Sequence, residues 1–263
     1  MTQPALPRRT MLAGLVLVAA GPACAQSDIA RIAAASDLGF VLEDIATRFR
    51  AETGHAVRLT FGSSGNFARQ LQQGAPFDLF LSADEGFVFQ LADAGRTLDR
   101  GALYAEGRIA LFAPTGSPLA VDADFAGLRT ALAAGRIRRF AIANPEHAPY
   151  GRAAEQALKG QGLWEAIRPL LVLGENVSQA AQFATSGAAE GGIIAQSLAL
   201  SPAVSTHGRF ALLPTEFHAP LRQRMVLMRD AGPAARAFYA YLRTRPARLM
   251  LERYGFTIAS EAV

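Results

Sequence analysis

Between Arg58 and Arg69 the chain reads Arg-Leu-Thr-Phe-Gly-Ser-Ser-Gly-Asn-Phe-Ala-Arg. Apolar and polar residues alternate as far as Phe61, Gly62-Ser63-Ser64-Gly65 breaks the alternation, and an amphipathic run follows through Leu71. The spacing predicts a strand, a tight turn and a helix. The first turn of a helix leaves backbone N–H groups unpaired at the positive end of the helix dipole, so small hydroxyl residues there make a seat for an anion. Taken alone, such a turn is equally an ordinary N-cap. The same grammar recurs at Ser36, at Tyr150-Gly151 and at Val177, each time where an apolar run gives way to a helix start. Ser36, Ser64 and Tyr150 bring hydroxyls to these turns, and the chemistry they offer together is hydrogen-bond donation to a small oxyanion.

Catalytic constellations compete poorly. His55, His147, His207 and His218 are far apart and show no metal-ligand spacing, which marks each as a loop or surface residue rather than a ligand. Gly62-Ser63-Ser64-Gly65 is not a nucleophile elbow, because Asn66 stands where the second glycine of that pattern would be. No Gly-Lys-Ser/Thr phosphate loop occurs. Trp164 reads as a core residue.

The elements that must position these turns alternate between strand and helix. Residues 29–35 are an apolar stretch interrupted only by Arg31, and Leu38, Val41, Leu42, Ile45 and Phe49 follow at helical spacing, with Ser36 as N-cap and Gly54 as the stop. Further strands are expected at 56–61, 77–81, 140–143, 170–173 and 193–194. Pro145 and Pro149 are expected to keep the loop before Gly151 irregular, with a helix from about residue 152. An extended segment at 108–114 crosses into a second lobe, and 225–228 returns to the first. The fold class is therefore α/β: two lobes, each a mostly parallel sheet with helices on both faces, joined by two crossing strands. Residues 28–107 plus 224–263 form the first lobe and 108–223 the second. In open parallel sheets ligands sit beyond the carboxyl ends of the strands, where all four turns must lie. Two such lobes face those turns across one cleft, and a hinge is expected at the crossings near 108–113 and 225–228.

The 263 residues begin with an export signal: Arg8-Arg9, an apolar run from Met11 to Ala20, and the small-x-small cleavage site Ala23-Cys24-Ala25. Both the twin-arginine and the general secretory routes stay open. Cleavage after Ala25 removes the single cysteine, and with it disulfides and cysteine catalysis. Residues 1–25 carry Arg8, Arg9 and no acid, so the formal charge of +4 falls to +2 for the remainder. The high pI reflects arginine outnumbering Lys159, the one lysine, and does not point to nucleic acid. Arg136-Ile137-Arg138-Arg139 reads as a solvated strand edge.

Ala33-Ala34-Ala35-Ser36, Phe61-Gly62-Ser63-Ser64-Gly65, residues 74–84 around Phe77-Asp78-Leu79-Phe80-Leu81, residues 144–151 ending in Pro149-Tyr150-Gly151, Glu175-Asn176-Val177 and Arg253-Tyr254-Gly255-Phe256 stand in one order along nearly the whole exported chain. In these motifs the sequence resembles the periplasmic molybdate-binding proteins of bacterial ABC transporters. The resemblance implies a type II periplasmic-binding fold. It implies molybdate or tungstate held in the interdomain cleft as an oxyanion, with no direct metal ligands and no cofactor. It also implies delivery, by what is expected to be a monomer, to an inner-membrane permease driven by an ATPase. Carried over by position, Ser36 and Ser64 supply hydroxyls and Val177 a backbone N–H. One branch of the family places its tyrosine on a later strand, here Ala195; this chain follows the other branch, so Tyr150 supplies the phenol and Ala195 nothing.

Asp37 departs from that branch, which has asparagine beside the first hydroxyl ligand. An acid there repels a dianion, unless its carboxylate turns away and only its N–H points inward; that orientation is the expectation. The alternative is a different tetrahedral oxyanion, such as phosphate or sulfate, with Asp37 accepting a proton from hydrogen phosphate. A secreted enzyme using the same cleft is a remote third reading.

Overall fold

The computed structural model describes residues 1–2 and 29–258. The signal peptide and Cys24 thus lie outside the described residues, apart from Met1 and Thr2. The first sheet is built from β1 (Ala30–Ala35), β2 (Val57–Gly62), β3 (Leu79–Ser82) and β4 (Ala102–Gly107), separated by α1 (Gly39–Thr53), α2 (Ser64–Gln72) and α3 (Glu85–Asp93). The second follows with β5 (Ile109–Pro114), α4 (Ala126–Ala133), β6 (Phe140–Ala143), α5 (Pro149–Gly160), α6 (Trp164–Ile167), β7 (Leu171–Gly174), α7 (Val177–Thr185), β8 (Gly191–Ala195), α8 (Gln196–Ala199), α9 (Pro202–Ser205) and β9 (Gly208–Leu212). β10 (Leu221–Leu227), α10 (Pro233–Leu242) and α11 (Arg245–Arg253) complete the chain.

The strand orders are β2-β1-β3-β10-β4 and β7-β6-β8-β5-β9. β1 pairs parallel with β2 and β3, and β6 parallel with β7 and β8. β10 runs against β3 and β4, and β5 against β8 and β9. One strand in each sheet is therefore reversed while the others share a direction. The reversed strands are the two that follow the crossings between lobes. β4 passes to β5 through Arg108, and β9 returns through 213–220. The expected hinge positions are corrected accordingly: 109–113 and 225–227 are hydrogen-bonded inside sheets, and β10 belongs to the first sheet from Leu221 onward. Arg108 ties the crossings together, its guanidinium donating to the Leu213 carbonyl at 3.0 Å.

Central strands bury both faces, so they read as continuous apolar runs. In the first lobe Ile32, Ala34, Leu79 and Leu81 face α1, α10 and α11 with Phe49 and Phe238, while Ala33 and Phe80 face α2 and α3 with Phe67 and Val88. Phe112, Phe140 and Ile142 centre the core of the second lobe. Trp164 is only partly buried against that core, with Lys159 Nζ 5.4 Å from its ring centre.

Candidate functional site

At the carboxyl ends of the parallel strands the lobes enclose a small pocket, about 190 Å³ of space partly open to solvent. Its walls are the starts of four helical segments, Ala35-Ser36-Asp37, Gly62-Ser63-Ser64, Ala148-Pro149-Tyr150 and Asn176-Val177, with Ala83 beside them. The structure thus brings Ser36, Asp37, Ser64, Tyr150 and Val177 together. Arginine, lysine and histidine are absent from the lining.

Local chemistry explains each position, and in two cases alters the expectation. Ser36 does not cap α1 with its side chain; it opens a short 3-10 turn, Ser36–Leu38, ahead of that helix. Its Oγ accepts from Ser178 N at 3.4 Å and its carbonyl accepts from Ser178 Oγ at 2.8 Å, so it faces the other lobe. The cap of α2 is Ser63, whose Oγ accepts from Asn66 N at 3.3 Å. Ser64 Oγ accepts from Ala83 N at 2.9 Å, which leaves its hydroxyl hydrogen for another acceptor. Asn176 caps α7 by accepting from Ser178 N and Gln179 N, both at 3.1 Å; Val177, whose N–H takes no part in that cap, lines the pocket. Tyr150 sits inside α5 and not in a loop before it. Pro149 occupies the first helical turn, where its fixed φ suits the helix and its missing N–H costs nothing.

The Asp37 carboxylate is held by the phenol beside it. Its carboxylate is buried, 2% exposed, and turned toward Tyr150. Tyr150 Oη donates to Asp37 Oδ2 at 2.9 Å, and Gln223 Nε2 donates to the same oxygen at 2.6 Å. Gln223 Nε2 also lies 3.1 Å from Tyr150 Oη, and Tyr104 Oη donates to Gln223 Oε1 at 2.7 Å. Phenol and amide donors compete for the carboxylate and outweigh any tendency to face solvent. Burial pushes the Asp37 carboxyl from 3.8 up to about 6, against the opposing pull of the bonds from Gln223 and Tyr150. Burial and the Asp37 charge hold the Tyr150 phenol well above its ordinary range. Asp37 Oδ1 has no hydrogen-bond partner. Gly107 makes room for this network, since a Cβ there would stand 2.1 Å from Tyr150 Oη.

The lobes are closed upon each other around the pocket. Gly65 N donates to His147 O at 3.0 Å, Ser63 Oγ lies 2.8 Å from His147 Nδ1, and Asn66 Nδ2 donates to Glu175 Oε2 at 3.2 Å. Arg152 pairs with Asp84 and stacks over Phe87 at 5.2 Å. His147 is therefore a buried interlobe contact rather than a surface residue, and His218 is buried as well. Sequence reasoning missed Gln223, Tyr104, Gly107, Asn176 and His147 as parts of the site. Asn176 was legible as an N-cap. Gln223 left a faint trace, a polar residue on the inward alternation of Leu221 and Met225, whereas the others left none.

Two α/β lobes closed on a pocket at their strand ends, joined by two crossings, define the class: a two-lobed solute-binding protein. The chain belongs to the family of bacterial extracellular solute-binding proteins, which matches residues 30–257. It is 36% identical over 238 residues to the molybdate-binding protein ModA of Azotobacter vinelandii, covering 89% of this chain and 92% of the relative. It is 34% identical over 245 residues to ModA of Rhodobacter capsulatus, covering 92% of each. The solved structure of the Azotobacter vinelandii periplasmic molybdate-binding protein superposes with a TM-score of 0.80 at 30% identity, over 88% of this chain and 100% of that one. Among the described residues no group of three or more His, Cys, Asp or Glu is placed to hold a metal ion, and no helix is long and apolar enough to cross a membrane.

Proposed function

We propose that this chain is a periplasmic receptor that captures molybdate, and tungstate with it, and delivers the oxyanion to an inner-membrane ABC permease and its ATPase. The carrying observation is the pocket: helix starts from both lobes converge on it with Ser36, Ser64 and Tyr150, and no cationic side chain lines it. Such a site holds a fully oxygenated anion through oriented dipoles and N–H and O–H donors, with no covalent step. The names and extent of the relatives support molybdate as the ligand, and the family supports a permease partner. The protein acts as a monomer and without catalysis. The buried carboxylate of Asp37 in the pocket wall favours a second reading, a receptor for a protonated oxyanion such as hydrogen phosphate.

Thermal unfolding with molybdate, tungstate, sulfate and phosphate separates these readings. A ligand at one hundred times its dissociation constant adds about 2.7 kcal/mol to the folded state, a shift of several degrees. Stabilisation by molybdate and tungstate is expected; stabilisation by phosphate alone would reverse the assignment.

A further inference from the structure

Three features of the pocket wall do not fit a receptor that simply receives a dianion. Tyr150 has one hydroxyl hydrogen, and it is given to Asp37 Oδ2 at 2.9 Å. Asp37 is 2% exposed and its Oδ1 is without a partner, so the ionised carboxylate keeps part of its charge buried and uncompensated, a cost that a proton would remove. Finally, a dianion beside an ionised Asp37 would place three negative charges in a pocket with no cationic lining. Carboxylate and ligand then compete for one phenolic hydrogen while repelling each other.

Resting on the oxyanion reading above, we infer that the pocket takes up its oxyanion together with one proton, held on Asp37, and that this proton releases the Tyr150 hydroxyl hydrogen to the ligand. The proton comes from solvent. One bond to hydrogen breaks in the buffer acid or water that gives the proton, leaving its conjugate base in solution; one O–H bond forms on the Asp37 carboxylate, and the Tyr150 hydrogen bond moves from that carboxylate to a ligand oxygen. Asp37 is thereby a positioning residue, acting on the ligand through Tyr150.

The groups around Asp37 leave it as the proton acceptor. α5 presents Tyr150, β4 presents Tyr104 behind Gln223 of β10, and α8 presents the Ser197 hydroxyl, which donates to the Asp37 carbonyl at 2.8 Å. α7 presents the neutral Val177 and Ser178, and α2 with its cap presents Ser64 and Ser63. Among the described residues no arginine, lysine or histidine hydrogen-bonds or ion-pairs with Asp37. Burial sets its carboxyl at about 6, so at neutral pH the free site is mostly ionised and can take the proton.

Calorimetric titration of the exported chain with molybdate, at pH 7, 8 and 9 and in two buffers of different ionisation enthalpy, counts the protons. Uptake of about one proton per molybdate is expected, with Kd rising about tenfold per pH unit. Asp37→Asn, which resembles the protonated carboxyl, should bind more tightly than wild type at pH 9, with no proton uptake and no pH slope. Molybdate binding by wild type with no proton uptake and a flat profile would overturn this inference alone, as would an Asp37→Asn protein that keeps the slope. No heat with molybdate, tungstate, sulfate or phosphate would overturn the oxyanion reading and this inference with it. If Asp37→Asn fails to fold, the proton count on wild type decides.

Discussion

Asp37 is where the energetics of single residues are concentrated. A buried carboxyl moved from 3.8 to about 6 carries about 3 kcal/mol of linkage. The sign follows from proton binding: between these values the folded state holds the proton and the unfolded state does not, so stability from this group falls as pH rises. Its ionised form costs the folded state fully above about pH 6 and not at all below about pH 4. Asp37→Asn, without ligand, should therefore be more stable than wild type at pH 8 by up to about 3 kcal/mol, with the gap closing toward pH 4. Denaturant midpoints of both proteins across that range measure it, and a gap independent of pH would show that Asp37 does not titrate with folding. Asn176 illustrates a different function for a polar side chain, because its two accepted bonds hold the start of a helix rather than a charge.

At the scale of elements, the pocket is a meeting of helix starts, and its strength depends on how well each start is formed. Removing the α7 cap by Asn176→Ala should cost about 1 kcal/mol of stability and weaken molybdate binding, because the N–H groups at Val177 lose their fixed direction. Asn176→Asp keeps a capping oxygen and adds a negative charge beside the pocket. It should retain the stability and lose affinity, and a titration in which both variants bind as wild type would detach α7 from the site. The interlobe ion pair of Arg152 with Asp84 is partly exposed on both sides, so it contributes little to folding and more to the alignment of α5 with α3.

For the whole molecule, contacts between the lobes hold the cleft closed. Closure brings Gly65 of α2 against the backbone of His147, where a Cβ would stand 2.5 Å from the carbonyl oxygen. Gly65→Ala should leave each lobe folded and keep the cleft ajar. Hinge motion at Arg108 and 213–220 would then stop short of closure. Solution scattering at saturating molybdate should show a compact wild type and a more extended Gly65→Ala protein. A compact profile for the variant, with its secondary structure intact, would show that the His147 contact does not limit closure.

The sequence by itself determined the alternation of strands and helices, the two lobes and the four helix-start turns that line the pocket, because hydrophobic period, turn residues and helix starts are local properties of the chain. Ser36, Ser64, Tyr150 and Val177 were legible for that reason. Tertiary structure decided what no local pattern contains. The direction of the Asp37 carboxylate depends on Tyr150 and Gln223, which lie 113 and 186 positions away along the chain. The burial of His147 depends on the opposite lobe, and the crossings are fixed by where β5 and β10 pair. A side chain's burial and partners arise only when distant segments meet, so the hydrogen bond that gives the Tyr150 hydroxyl hydrogen to Asp37 was decided by packing.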